Sequence, residues 1–137
     1  MKLSTRSRYG TRMVLALAEH FQGGPVQIGE IAKQLDISVK YLEQLIIPLK
    51  KAGLIKSVRG PKGGHALTKS PDEITVGEIV KILEGGIDLS DCIADPAICN
   101  NTGHCVARGV WQDATKAMYD KLNSVTFSYM IEMGKSL

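Results

Sequence analysis

Three observations predict a mainly α fold that carries one β-hairpin. Four separate segments place apolar residues at i, i+3, i+4 and i+7, the stripe that a core-facing helix needs. Two short strand-like runs flank a Gly/Pro-rich tip, and capping or breaking residues fall between the segments. The length, 137 residues, suits one domain or one domain with an appended element. Apolar residues make up 44% and charged residues 23%, enough for a packed core and unlike collagen-like, low-complexity or disordered chains. No run of 18 apolar residues occurs, and the start has no signal-peptide stretch, so a cytoplasmic protein without membrane contact is expected.

The first helical stripe is Val14, Leu17, Ala18 and Phe21, with Gly23-Gly24-Pro25 as its stop. A short second helix, about 29–35, carries Ile28, Ile31, Ala32 and Leu35. Asp36-Ile37-Ser38 follows as a tight turn, with Ser38 the N-cap of a third helix built on Leu42, Leu45, Ile46 and Leu49. Pro48 lies inside that pattern, where it lacks a donor and should kink or loosen the last turn. Gly53 suits the C′ position. Residues 54–69 read as a hairpin with a long turn. Thr75-Val76-Gly77-Glu78 is a capping box, and Val76, Ile79, Val80 and Leu83 form the fourth stripe. A later helical pattern through about residue 121 carries Val110, Ala114, Ala117 or Met118, and Leu122. A short helix through Met133 follows. The long stripe must be buried on its own domain or against a second copy, and a homodimer is expected.

The net charge of +3 conceals a division. Up to Lys69 there are 12 Lys and Arg against 4 Asp and Glu, a net of +8. Beyond it there are 5 against 10, a net of −5. One end is suited to a polyanion.

A short helix, a tight turn, a second helix and a hairpin, in that order, make a winged helix-turn-helix, with 28–49 as its helix-turn-helix. The second helix of such a unit enters the major groove of double-stranded DNA. Its leading residues would be Ser38, Lys40, Tyr41, Glu43 and Gln44. Gln44 can pair with adenine and Glu43 can accept from the cytosine amino group. Ser38, Lys40 and Tyr41 can hold phosphates. The wing tip Arg59-Gly60-Pro61-Lys62 is basic and slim, and Arg59 could enter a narrow minor groove. Lys2, Arg6, Arg8 and Arg12 add charge at the first helix. A nucleotide-cradling loop is the competing reading of the wing glycines, but no helix follows them and no Gly-Lys-Ser/Thr closes that loop. No paired acids or nucleophile–base set stands out, so an enzyme is not expected.

Several of these stretches resemble the Rrf2 family of bacterial winged-helix repressors over nearly the whole chain. They are Met1-Lys2-Leu3-Ser4 with Arg8-Tyr9, the run 38–45 containing Tyr41-Leu42-Glu43-Gln44-Leu45, Ser57-Val58-Arg59-Gly60-Pro61 with Gly63-Gly64, Val76-Gly77-Glu78, and a cysteine loop ending in Val110-Trp111. Within the family the chain is most similar to the regulators of iron–sulfur cluster assembly. The resemblance implies a homodimer crossed at its long helix, reading a pseudo-palindromic promoter site. The expected organisation is a DNA-binding domain at 1–84, a cluster-binding loop at 85–105, and a dimerisation helix and tail at 106–137.

All three cysteines, Cys92, Cys99 and Cys105, lie in that loop with C-x6-C-x5-C spacing. An odd count without secretory features argues against a disulfide framework. The spacing admits an iron–sulfur cluster, a Cys₃His zinc site, a thiol switch or inert loop cysteines. The resemblance implies a cluster, [2Fe–2S] rather than [4Fe–4S], held by three cysteines and a histidine, with cluster-assembly proteins as donors. This chain departs from the pattern: the first spacing is one residue longer, and the family's histidine position holds Arg108, whose guanidinium cannot ligate. Arg8 stands where another branch of the family has an acidic ligand. His104 is the nearest imidazole and the candidate fourth ligand. His20 and His65 read as packing or surface residues. A further branch responds to a partner protein, so a partner- or thiol-responsive repressor is the alternative.

Overall fold

The computed structural model describes residues 2–137, and Met1 lies outside them. Seven helices and one two-stranded antiparallel sheet are seen there, the winged helix that the sequence predicts. Helix α1 is Thr5–Glu19, α2 is Ile28–Leu35 and α3 is Val39–Lys51. The hairpin pairs β1, Ile55–Val58, with β2, Gly64–Leu67, in the register Ile55 to Leu67 and Val58 to Gly64. Helix α4 is Val76–Glu84, α5 is Asp91–Ala94, α6 is Val106–Asn123 and α7 is Phe127–Gly134. No helix among the described residues is long and apolar enough to cross a membrane.

The boundaries follow local chemistry. Ser4, Ser38 and Thr75 cap α1, α3 and α4, each hydroxyl accepting a backbone N–H three residues on. Asp36 takes a left-handed conformation, φ 54°, to turn the chain between α2 and α3. Helix α3 ends in a Schellman motif: Leu54 N donates to Leu49 O and Gly53 N to Lys50 O, both at 3.0 Å. Gly53 sits there at φ 78°, and the flanking Leu49 and Leu54 are buried together. The helix runs through Pro48 to Lys51.

Two expectations need correction. Helix α1 stops at Glu19, before the glycine pair, and a 3₁₀ turn over Phe21–Gly23 carries the chain on. Only half of the capping box forms. Thr75 Oγ1 accepts from Glu78 N, whereas the Glu78 carboxylate lies 3.7 Å from Lys69 Nζ. A nearby cation competes for the acid that would otherwise reach back to the cap.

The core lies between α1, α3, α4 and the hairpin root, with Met13, Leu17, Leu42, Leu49, Ile55 and Ile79 fully buried. The predicted stripes of α2, α3 and α4 face inward, apart from the half-buried Ile28 and Val76. At the back, Glu84 Oε1 of α4 accepts from Ser4 N at 2.9 Å and from the buried Ser7 Oγ at 2.5 Å. These bonds from Ser4 and Ser7 hold the Glu84 carboxyl below its usual range.

The chain beyond α6 turns back onto this unit. Val76 N donates to Val125 O at 2.8 Å and Phe127 N to Ile74 O at 3.0 Å, around a bridge between Thr75 and Thr126. Phe127 is fully buried in the core, a contribution of about 1.5–3 kcal/mol from its side chain. The end of α6 meets α4 closely: a Cβ on Gly77 would stand 2.8 Å from Asn123 N and 2.9 Å from its Cα.

Gly77→Ala should therefore destabilise the fold by about 1–3 kcal/mol, because backbone must shift. Gly29→Ala, on α2 with nothing near its would-be Cβ, should stabilise by roughly 0.4–1 kcal/mol. Urea unfolding midpoints of the two variants, moving in opposite directions, check this.

Candidate nucleic-acid interface and cysteine loop

The inner face of α3 is spent on Leu42, Leu45, Ile46 and Leu49, so the helical period turns Lys40, Glu43, Gln44 and Ile47 outward. Ser38 and Lys40 are exposed and Tyr41 is half-buried. Ser38 Oγ accepts from Tyr41 N at 3.1 Å, which leaves its hydroxyl proton free to donate.

Tyr41 joins α3 to α1. Its ring meets Tyr9 edge-on at 6.0 Å between centroids, a contact worth about 0.5–1.5 kcal/mol. The guanidinium carbons of Arg8 and Arg12 lie 5.9 and 5.3 Å from the centre of the Tyr9 ring. Arg8 and Arg12 are thus held on one ring whose edge partner belongs to α3. The sequence counts Arg12 only for its charge and Tyr9 only within the family resemblance; the i, i+4 spacing of the two arginines around Tyr9 is the signal that joins them.

The wing is anchored at its root. Val26 and His65 exchange backbone hydrogen bonds of 2.9 and 2.8 Å, adding one rung to the hairpin. Gly64, at φ 148°, allows that approach, since a Cβ there would fall 2.3 Å from Val26 O. At the tip Gly63 N donates to Gly60 O at 2.9 Å, and Arg59, Gly60, Pro61 and Lys62 are exposed. Gln27 Nε2 donates to Pro61 O at 3.4 Å. Lys50 Nζ donates to Ser57 Oγ at 3.0 Å, and Ser57 Oγ lies 3.1 Å from His65 Nδ1, which ties the end of α3 to both strands. Lys2 is exposed at the start of the chain, on the rim of a small cavity of about 90 Å³ with Glu84 and Met118.

The cysteines are placed differently. Cys92 lies on α5, half-buried, with Sγ 3.2 Å from Ser90 Oγ. Cys99 is exposed after a 3₁₀ turn over Pro96–Ile98. Cys105 is exposed and caps α6, its Sγ accepting from Arg108 N at 3.4 Å. His104 is exposed beside it. All three thiols are free, and the described residues contain no three Cys, His, Asp or Glu gathered into a ligand set. In kind the donors fit an iron–sulfur centre, three thiols on one accessible loop. Their arrangement here is open, with Cys92 engaged by Ser90 and Cys105 by Arg108.

A family model described as an iron-dependent transcriptional regulator, Rrf2, matches residues 3–133. The chain belongs to the Rrf2 family. Rrf2 proteins are transcriptional regulators and not enzymes, which agrees with the absence of catalytic constellations from the sequence. Protein rrf2 of Nitratidesulfovibrio vulgaris is 46% identical over 93% of this chain and 85% of its own. The solved structure of T. potens IscR superimposes with a TM-score of 0.81 at 37% identity, covering 98% of this chain and 88% of that one. The structure of CymR, the global cysteine regulator of B. subtilis, gives a TM-score of 0.81 at 36% identity, covering 97% and 98%. This Rrf2 chain shares its fold with both.

Burial chiefly, and Lys50 in addition, lower the His65 pKa from its ordinary 6.5, against an opposing pull from Glu43. As pH falls through 6.5 the unfolded chain takes up a proton that the folded chain refuses, so folding stability should decline, having been level above 7. Urea midpoints between pH 7.5 and 5.5 should show this decline, and His65→Gln should flatten it.

Proposed function

We propose that this chain is a DNA-binding repressor whose three cysteines hold an iron–sulfur cluster and whose affinity for its promoter site follows the state of that cluster. The observation that carries the reading is that every cysteine lies in the loop between α4 and α6, next to the helix that α4 and the core hold in place. The loop gathers Cys92, Cys99 and Cys105, with His104 as fourth ligand, and the centre is [2Fe–2S]. When bound, the cluster supplies a group that iron supply and oxidation add or remove. Cluster-assembly proteins serve as its donors, and genes of cluster assembly are the targets.

Reading DNA falls to the other half. Lys40, Glu43 and Gln44 face the major groove, Ser38, Tyr41, Arg8 and Lys2 face phosphates, and Arg59, Gly60, Pro61 and Lys62 enter the adjacent minor groove. Two copies are needed to read a palindrome. Helix α6 offers the face for the second copy: Val106, Val110 and Trp111 are 86%, 54% and 46% exposed, and Ala114 and Ala117 continue the strip. Ordering the loop repositions α6, and the contact of Gly77 with Asn123 passes the shift to the reading unit. A cluster changes DNA binding only through its unequal affinity for the two arrangements.

A second reading is favoured by the three thiols being free and two of them exposed, and by the likeness to a cysteine regulator. It is a repressor of the same fold that responds to thiol oxidation or to a partner protein.

Anaerobically purified chain should be brown, with absorption and Mössbauer spectra of a [2Fe–2S] centre that Cys92→Ala, Cys99→Ala or Cys105→Ala removes. Colourless protein with stoichiometric zinc, or DNA binding that follows thiol oxidation alone, would sink the cluster. His104→Ala should weaken cluster retention, and an unchanged spectrum would remove it from the ligand set. On an operator selected from random duplexes, Arg59→Ala should weaken binding by about 1–3 kcal/mol at fixed salt. Wild-type affinity should fall steeply as salt rises.

A further inference from the structure

One residue touches both ends of the cysteine loop. Arg108 is the third residue of α6, an 18-residue helix. Its backbone N donates to Cys105 Sγ at 3.4 Å, and its side-chain Nε donates to the carbonyl of Cys92 at 3.1 Å. The two cysteines are 13 positions apart, and Cys99 between them is exposed. We propose that Arg108 is a positioning residue, a clasp that holds the short helix of Cys92 against the start of α6.

The chemistry favours arginine for this task. A guanidinium stays charged, and its Nε–H lies in a fixed plane, so the bond to a carbonyl is directional and charge-assisted. Arg108 is half-buried, and its backbone belongs to a helix, so the donor is presented from a rigid base. The carbonyl it meets belongs to α5, a single turn held by Asp95 N to Asp91 O and, at its start, Ile93 N to Ser90 O. A helix of four residues has little stability of its own, so an outside tether decides how long it persists. Helix α5 is packed against α6, and Leu89 N, just ahead of it, donates to Thr115 Oγ1 of α6 at 3.1 Å. The loop is therefore tied to α6 at two levels: at Thr115 before α5, and at Arg108 on α5 itself. From Ala94 to Cys105 the loop is exposed apart from the half-buried Thr102. The clasp fixes where the loop leaves and rejoins the fold, on either side of Cys99.

The inference deepens the proposed sensing site, but its test is read separately from any cluster. Hydrogen exchange of the chelator-treated full chain tests it, followed by mass spectrometry of peptides covering 91–98 and 110–123. Arg108→Ala and Arg108→Met should each speed exchange of the 91–98 amides by about two- to tenfold, the loss of one hydrogen bond, with 110–123 unchanged. The Met variant keeps an unbranched stem without the donor. Wild-type exchange in Arg108→Met would show that packing, and not the Nε bond, holds the loop, and would overturn the clasp. Faster exchange throughout 110–123 would also overturn it, by showing that α6 itself had melted. A colourless, cluster-free protein that shows the expected pattern would uphold the clasp while removing the cluster.

Discussion

The two backbone bonds that seat residues 125–127 against residues 74–76 constrain the rest of the molecule most. They bring the chain back after α6 and place Phe127 in the core of the DNA-reading unit. Without them, α6 would be a helix attached at one end and free at the other. With them, its far end is held against α4, where Gly77 leaves no room for a side chain. A long helix fixed in this way can transmit a displacement from its N-terminal end, where the cysteine loop joins it.

On the reading side, rigidity is built from small polar devices. Ser38 starts α3, the Schellman turn at Gly53 ends it, and Lys50, Ser57 and His65 tie that end to the wing. Tyr41 and Tyr9 tie its beginning to α1. Helix and wing are thereby set at one mutual position.

Much of this was legible because it is local. The apolar stripes, the caps at Ser38 and Thr75 and the glycine at 53 are read within one or two turns, and the structure places them as expected. Helix α1 ended early because the periodicity of Phe21 is also satisfied by a 3₁₀ turn. What the residues did not disclose is non-local. Phe127 lies in a segment that reads equally well as a tail, and its burial accompanies an isolated bridge from Thr126 to Thr75, 51 positions earlier. The rung between Val26 and His65, and the reach of Arg108 to Cys92, link positions that no short pattern connects. The cysteine spacing names the chemistry of the donors but not their arrangement, since loop geometry depends on what the loop is tied to.

The uneven division of charge has a consequence for how the molecule meets its partner. The basic residues are concentrated on α1, α3 and the wing, while the acidic excess falls in α4 and the cysteine loop, with Glu84 bonded to Ser4 and Ser7 at the start of α1. A body charged in this way carries a permanent dipole. In the field of a polyanion it rotates before contact, and first touches fall on the basic end more often than shape alone would give. The acidic half then adds to association by repulsion: it makes the wrong approach the unfavourable one, without touching DNA at all.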